Sequence, residues 1–147
     1  MSSRFGHRRP VQGVVLLLLA CAMAAPARAG GGGLDGSWQV TALDGRPVAA
    51  ADGLTLAFRG DQLSGFAGCN RFSAPYRFEP PAGDTQPVAI GPIRATRMAC
   101  EPAKMERETA MMRAIGTAHT ISRAQDGAVE MRSETGKVTL RFVQTAP

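Results

Sequence analysis

Histidine, cysteine and aromatic residues are scarce in this chain of 147 residues. It has two histidines and three cysteines, and aromatic residues make up 5%. Neither a CxxC pair nor a histidine cluster is present, so the ligand spacing of a zinc site is missing. There is no GxSxG motif of a serine hydrolase, and no glycine-rich loop with a lysine to hold a phosphate. We therefore expect no metal, no cofactor and no enzymatic activity.

The first 29 residues have the three parts of a secretory signal. A basic start that includes Arg8 and Arg9 precedes an apolar run over residues 14–25, and Ala27-Arg28-Ala29 forms a small-x-small cleavage site. The apolar run is shorter than the roughly 20 residues that a membrane-spanning helix needs, and no later segment approaches that length. The sequence therefore predicts an exported protein, periplasmic or secreted, with no integral membrane segment.

A second processing route stays open. Leu18-Leu19-Ala20-Cys21 resembles a bacterial lipobox, in which the cysteine is lipidated and becomes the new N-terminus. On that route the product is an outer-membrane lipoprotein, and Cys21 is its one membrane anchor. Otherwise Cys21 is a small apolar residue of a discarded signal. The pair Arg8-Arg9 also permits export by a twin-arginine route.

Removal of the leader changes the charge of the chain. The full sequence has 17 basic and 12 acidic residues and a net charge of +5. Four arginines leave with the leader and no acid does, so 13 basic and 12 acidic residues remain, a net charge of +1. The high isoelectric point is mostly a property of the leader, and we expect no binding to nucleic acid.

About 118 residues remain after the leader, which suits one domain with one core. Gly30 to Gly33 is interpreted as a flexible spacer, and residues 34–144 as the folded domain. We expect a monomer.

Short strands separated by turn residues dominate this domain. Alternation predicts inward faces at Trp38, Val40 and Ala42, at Leu54, Leu56 and Phe58, and at Val138, Leu140 and Phe142. Gly60-Asp61, Asp126-Gly127 and Thr135-Gly136 are typical hairpin turns. The prediction is an α+β fold, with seven or eight short, mostly antiparallel strands in a partly closed sheet.

One helix interrupts the strands. Residues 102–115 carry Met105, Thr109, Met112 and Ile115 at helical spacing, which predicts an inward face. Pro102 suits a first helical turn and Gly116 suits the position just past the end. The methionines are interpreted as core residues or, alternatively, as an adaptable binding surface.

Cys69 and Cys100 are 31 residues apart in a chain predicted to enter an oxidising compartment. Such a pair forms a structural disulfide by default, with a metal pair or a reactive thiol as alternatives.

The residues beside the two cysteines form a candidate partner surface. Asn70 and Arg71 follow the first cysteine, and Thr96 and Arg97 precede the second. A disulfide would bring these four together, and the cluster could bind an anion or another partner. Alternatively, Asn70 and Thr96 only satisfy backbone groups at a turn.

His119 is the one histidine left after the leader. It supports an alternative hypothesis, a periplasmic hydrolase or inhibitor with a surface pocket near His119. That hypothesis requires an acid and a nucleophile beside the imidazole.

Several short motifs together resemble the META domain, or HslJ-like, family. They are Trp38-Gln39-Val40, Leu56-Ala57-Phe58, Gly65 to Phe72, Thr96 to Cys100, Met105 to Glu108 and Leu140-Arg141-Phe142. The resemblance covers residues 34–143 and implies a compact antiparallel sheet with one helix. It also implies a secreted or membrane-anchored bacterial protein with links to heat shock, and it transfers no catalytic residue. The segment Pro80 to Gln86 is longer than a tight hairpin needs. The function expected on this basis is a non-enzymatic module of envelope stress or integrity that binds a protein or lipid partner.

Overall fold

A computed structural model describes residues 33–81, 83 and 85–145 of the chain. The predicted secretory signal, Cys21 and the spacer before Gly33 lie outside the described residues. The strands and the helix are β1 (Gly36–Leu43), β2 (Arg46–Pro47), β3 (Thr55–Arg59), β4 (Gln62–Phe66), β5 (Arg71–Phe78), β6 (Gln86–Ile90), β7 (Arg94–Ala95), α1 (Pro102–Gly116), β8 (Thr120–Arg123), β9 (Val129–Arg132) and β10 (Val138–Gln144).

Eight of these strands close into an antiparallel barrel. Their order around the barrel is β1-β3-β4-β5-β6-β8-β9-β10, and β10 pairs with β1 to complete the ring. The short strand β2 extends the β1 hairpin, and β7 pairs with the first half of β5. This architecture confirms the predicted α+β class, and the sheet closes on itself.

Side chains fill the barrel, as expected for eight strands. The alternation predicted for β3 is confirmed, since Leu54, Leu56 and Phe58 are buried. Trp38 is 1% exposed, and its ring meets the ring of Phe142 edge-on at 5.4 Å. These residues form one hydrophobic core with the inward face of α1.

Two β-bulges shift the inward face away from predicted positions. The register of β1 against β10 slips between Val40 and Ala42, so Leu43 is buried in place of Ala42. The register of β10 against β9 slips at Val138, which is half-buried, while Thr139 is buried. A bulge inserts one unpaired residue, and the alternation beyond it is displaced by one.

The helix turns to the core a face that matches the predicted one only in part, since Ile115 is buried as predicted. Thr109 is exposed and Met105 is half-buried outside the core, while Met112 packs only partly against it. The buried helix residues are Met111, Ala114 and Ile115. Within the described ranges, no helix is both long and apolar enough to span a bilayer.

Gly65 marks a close approach of β4 to its neighbours, as its position inside a strand predicts. A Cβ at this position would lie 2.0 Å from the carbonyl oxygen of Thr55 and 2.9 Å from the ring of Phe72. The two ends of the long connection between β5 and β6 are joined by a hydrogen bond, which the Gln86 side-chain amide donates to the carbonyl of Glu79 at 2.7 Å.

Candidate functional site: an arginine face beside a cross-braced loop

A disulfide joins the loop after β4 to the start of α1. Cys69 and Cys100 are bonded, with their Cα atoms 6.0 Å apart. Cys69 is buried, and Cys100 lies two residues before the first helical residue, Pro102. The bond closes a loop of 31 residues that contains β5, β6 and β7. It therefore fixes residues 96–100, which are otherwise without regular structure.

The side chain of Asn70 forms the second brace of this loop. It is 2% exposed. Its Oδ1 accepts hydrogen bonds from the Met98 amide at 2.7 Å and from the Thr96 hydroxyl at 2.8 Å. Its Nδ2 donates to the Met98 carbonyl at 3.2 Å. An asparagine amide offers two donors and a two-fold acceptor, so it can hold both polar groups of one peptide at once.

Glu108 on α1 completes the network. Its Oε1 accepts from Asn70 Nδ2 at 3.1 Å, and its Oε2 accepts from the Asn70 backbone N–H at 2.8 Å. Hydrogen bonds to a carboxylate are stronger than those between neutral groups. The bidentate contact agrees with the side of α1 that faces the barrel, because Met111 and Ile115 follow Glu108 at helical spacing on the same side.

The four residues of the predicted partner surface therefore have different roles. Asn70 is buried and fully hydrogen-bonded. Its side chain satisfies the backbone groups of Met98, which is the role that the alternative interpretation gave it. The Thr96 hydroxyl donates to Asn70 and accepts from the Arg71 backbone N–H at 3.2 Å. Arg71 and Arg97 are exposed. The structure gives their side chains no hydrogen bond or ion pair within the described part of the chain.

Arg94 belongs with these two arginines, and sequence reasoning missed it. It lies on β7 opposite Ser73 of β5, which places it diagonally from Arg71 on the outer side of the sheet. Diagonal neighbours across paired strands are about 7–8 Å apart, within reach of long side chains. The backbone N–H of Thr96 donates to the Arg71 carbonyl at 3.0 Å, and Arg97 is the next residue along the chain. We call Arg71, Arg94 and Arg97 the arginine face.

The arginine face differs from the other basic regions of the described residues. Five other arginines are paired with carboxylates: Arg77 with Glu79, Arg107 with Asp52, Arg113 with Asp44, Arg132 with Glu130, and Arg141 with Asp126 and Glu130. Arg46 on β2 and Arg59 on β3 are also exposed without a carboxylate partner in the described residues, but they lie on different strands and are not paired with each other. On the neighbouring strand β4, Ser64 lies opposite Ser73, and the half-buried Phe66 lies opposite Arg71. The face is therefore a concentration of positive charge in a nearly neutral domain.

Met98 lies at the edge of this face. It is 58% exposed, the most exposed large hydrophobic residue that the structure describes. Its backbone is held on both sides by Asn70, and it follows Arg97 directly. An apolar side chain is thus presented from a braced loop directly after Arg97.

The remaining candidate residues have structural surroundings. His119 is exposed, and within the described ranges its imidazole has no hydrogen bond or ion pair. Glu130, which sequence reasoning also missed, is a buried carboxylate held by Arg132 at 2.5 Å and by Arg141 at 2.7 Å. The signal for it was the Glu-x-Arg alternation on one side of β9.

A shallow groove runs between α1 and the β1–β2 hairpin. Leu43, Val48 and Ala110 line its floor, and Asp44 lies at its edge. Burial raises the pKa of Asp44, but hydrogen bonds and charge attraction from Arg113 and Lys137 outweigh it and leave the pKa below the ordinary value. The charge of Asp44 is therefore neutralised within the groove by Arg113 and Lys137. No group of three or more metal-binding side chains occurs among the residues described.

Comparison with known proteins identifies a family and two solved structures with a similar fold. A family model of the META domain matches residues 33–146. A protein from Burkholderia xenovorans solved by NMR is 26% identical, with a TM-score of 0.58 over 78% of this chain and 85% of that one. A DUF4847 family protein from Bacteroides vulgatus shares the fold, with a TM-score of 0.55 at 12% identity over 78% of this chain and 95% of the other. No curated protein matches the chain.

Proposed function

The chain belongs to the META domain family, and we propose that it is a non-enzymatic module of the bacterial cell envelope that binds an anionic partner through the arginine face. The observation that carries the proposal is the set of three exposed arginines without a carboxylate partner in the described part of the chain. Like charges that lie close together on a surface repel each other. A bound anion relieves that repulsion, and the free energy of the relief contributes to binding.

The loop that carries Arg97 is already fixed before any partner arrives. The disulfide holds one end at Cys100, and Asn70 holds both polar groups of Met98. A surface that is rigid in its binding geometry loses little conformational entropy on association. The cross-braced loop therefore supports a binding role for the residues that it presents.

A non-enzymatic role agrees with the family, which is not known for an enzymatic activity. The alternative hypothesis of a periplasmic hydrolase or inhibitor required an acid and a nucleophile beside His119. In the described chain the imidazole is exposed and lacks both partners. No specific observation favours that alternative.

The proposed location is the periplasm or the outside of the cell, with cleavage after Ala29, or the outer membrane, with lipidation of Cys21. The disulfide supports export, because thiol pairs persist as disulfides in oxidising compartments. In that setting the domain acts as a stress or integrity module whose partner is a protein or a lipid of the envelope.

The test compares two triple variants that change the net charge equally. The first replaces the arginine face: Arg71→Glu, Arg94→Glu and Arg97→Glu. The control replaces three other exposed cations whose side chains have no partner in the described residues, Arg46→Glu, Arg59→Glu and Lys104→Glu. We call Arg46, Arg59 and Lys104 the control cations.

Each processed protein is added to isolated envelope fractions, and the bound fraction is measured at low and high salt. We expect salt-sensitive binding of the wild type, loss of binding in the arginine-face variant and retention in the control variant. Equal binding by all three proteins would overturn the proposal. Thermal unfolding of each variant checks that the fold is intact.

A further inference from the structure

We infer that the anionic partner is the phosphate-bearing surface of a membrane leaflet, with the arginine face on the headgroup phosphates and Met98 entering the apolar boundary beneath them. This inference rests on the proposed function and names its partner. It is carried by the position of Met98 beside the arginines and by the way its backbone is satisfied.

Two large hydrophobic residues are exposed in the described chain, Met98 at 58% and Val143 at 38%. Val143 lies on β10 opposite Gln39, on a part of the barrel away from β5 and β7. Met98 alone of the two adjoins the arginine face. Basic residues that surround an apolar side chain are typical of surfaces that lie in the membrane interface.

The backbone of Met98 suits contact with an apolar region. Its N–H donates to Asn70 Oδ1 at 2.7 Å, and its carbonyl accepts from Asn70 Nδ2 at 3.2 Å. A backbone polar group that enters lipid without a partner is costly. Because Asn70 satisfies both groups from inside the protein, Met98 itself can lose its water without losing a backbone hydrogen bond.

The composition of the face favours a lipid surface over a protein. A stable protein interface has an apolar core of aromatic and aliphatic side chains surrounded by a polar rim. The arginine face offers one exposed large apolar residue, and its neighbours on β4 and β5 are Ser64, Ser73 and the half-buried Phe66, too few apolar groups for such a core. Guanidinium groups pair with phosphate oxygens through two parallel hydrogen bonds, which suits headgroups that are mobile in the plane.

The expected affinity is modest. Each basic residue near an anionic leaflet strengthens binding about fivefold, so three arginines contribute on the order of a hundredfold. Stable membrane attachment takes two signals, such as one lipid modification and a basic patch. The arginine face would supply the second signal if Cys21 is lipidated, and reversible attachment if the leader is cleaved after Ala29.

The experiment uses the processed protein and sedimentation with vesicles. One set of vesicles is an equal mixture of phosphatidylglycerol and phosphatidylcholine, and the other is phosphatidylcholine alone. The variants replace the arginine face with glutamine, the control cations with glutamine, and Met98 with serine. A fourth variant replaces the arginine face with lysine, which keeps the charge and removes the bidentate geometry.

We expect binding to the anionic vesicles and not to the neutral ones. Glutamine on the arginine face should lower the binding on the order of a hundredfold, with no change for the control cations. Lysine should restore most of it, and Met98→Ser should weaken binding without changing its dependence on salt. Equal binding by the two glutamine variants, or no binding to either set of vesicles, overturns the inference.

The outcomes also separate this inference from the proposed function. If the wild type ignores vesicles but the arginine-face variant still loses binding to envelope fractions, the partner is a protein and only the lipid inference fails. If both assays are insensitive to the arginine face, the proposed function fails as well. Binding of inorganic phosphate without binding of vesicles would identify an anion site and would overturn the membrane assignment.

Discussion

Replacement of Asn70 by alanine should destabilise the domain strongly, although asparagine is a residue type that usually lies on protein surfaces. Asn70 is the hub through which the loop at Met98 and the helix at Glu108 are held together. Alanine at this buried position removes four side-chain hydrogen bonds. It also leaves the N–H of Met98 without its acceptor.

The size of the loss follows from those bonds. A typical intramolecular hydrogen bond contributes a net 0.5–1.5 kcal/mol, and a buried polar group left without a partner costs about 1–3 kcal/mol. Glu108 and Thr96 are partly accessible and can recover water, whereas Asn70 itself is 2% exposed. We therefore expect Asn70→Ala to lower the free energy of unfolding by about 3 kcal/mol. That is a large share of the roughly 5–15 kcal/mol of a small domain.

The measurement is urea unfolding of the oxidised protein. Gln62→Ala serves as the control, because it removes an exposed amide whose one side-chain contact is at 3.5 Å, and it should cost under about 0.5 kcal/mol. A double-mutant cycle with Glu108→Ala should give a coupling energy of about 0.5–3 kcal/mol. A cost below about 1 kcal/mol for Asn70→Ala would refute the reasoning, since it would mean that the loop and the helix hold without the amide.

Three further predictions concern the core, the disulfide and a buried tyrosine. Trp38→Ala should cost about 3–5 kcal/mol in thermal unfolding, and a melting temperature near that of the wild type would count against its place in the core. Replacement of both Cys69 and Cys100 by serine should cost about 3.5–4 kcal/mol in urea unfolding, from a closed loop of 31 residues; an unchanged midpoint would contradict this. Burial, with smaller contributions from two nearby carboxylates, raises the pKa of Tyr76 above its ordinary value of 10.0. The stabilisation from this neutral phenol is complete below about pH 10 and is lost as the pH rises through the folded pKa. Tyr76→Phe should therefore reduce the loss of unfolding free energy at alkaline pH. Parallel curves of unfolding free energy against pH for the two proteins would disprove it.

Most of the barrel is predictable because its strands alternate. The inward set of β3 and the positions of Trp38, Leu140 and Phe142 follow from a period of two, which any strand with one buried face must show. The predictions at Ala42 and Val138 are wrong for a local reason. Each lies next to a bulge, and no residue type in the sequence marks a bulge at Thr41 or Thr139 as a glycine would.

The rotation of α1 could not be predicted from its own sequence. Met105 and Met112 are seven residues apart and define a plausible stripe, but Met111 offers another stripe with Ala114 and Ile115. Both stripes have helical spacing, so periodicity does not choose between them. The observed choice places Glu108 against Asn70, 38 residues away in the chain, and Met111 against the barrel, and both contacts are tertiary.

The grouping of the three arginines could not be predicted from the sequence either, because it depends on tertiary structure. Arg71 points outward by alternation, but β7 has two residues and carries no period from which the side of Arg94 could be inferred. Whether an arginine is free also depends on where the carboxylates are directed. Glu108 contacts the neighbour of Arg71 in sequence, yet its two oxygens are engaged by the backbone N–H and the side chain of Asn70. The carboxylate of Glu108 thus contacts Asn70, the residue that also holds Met98, and it forms no ion pair with the arginine face.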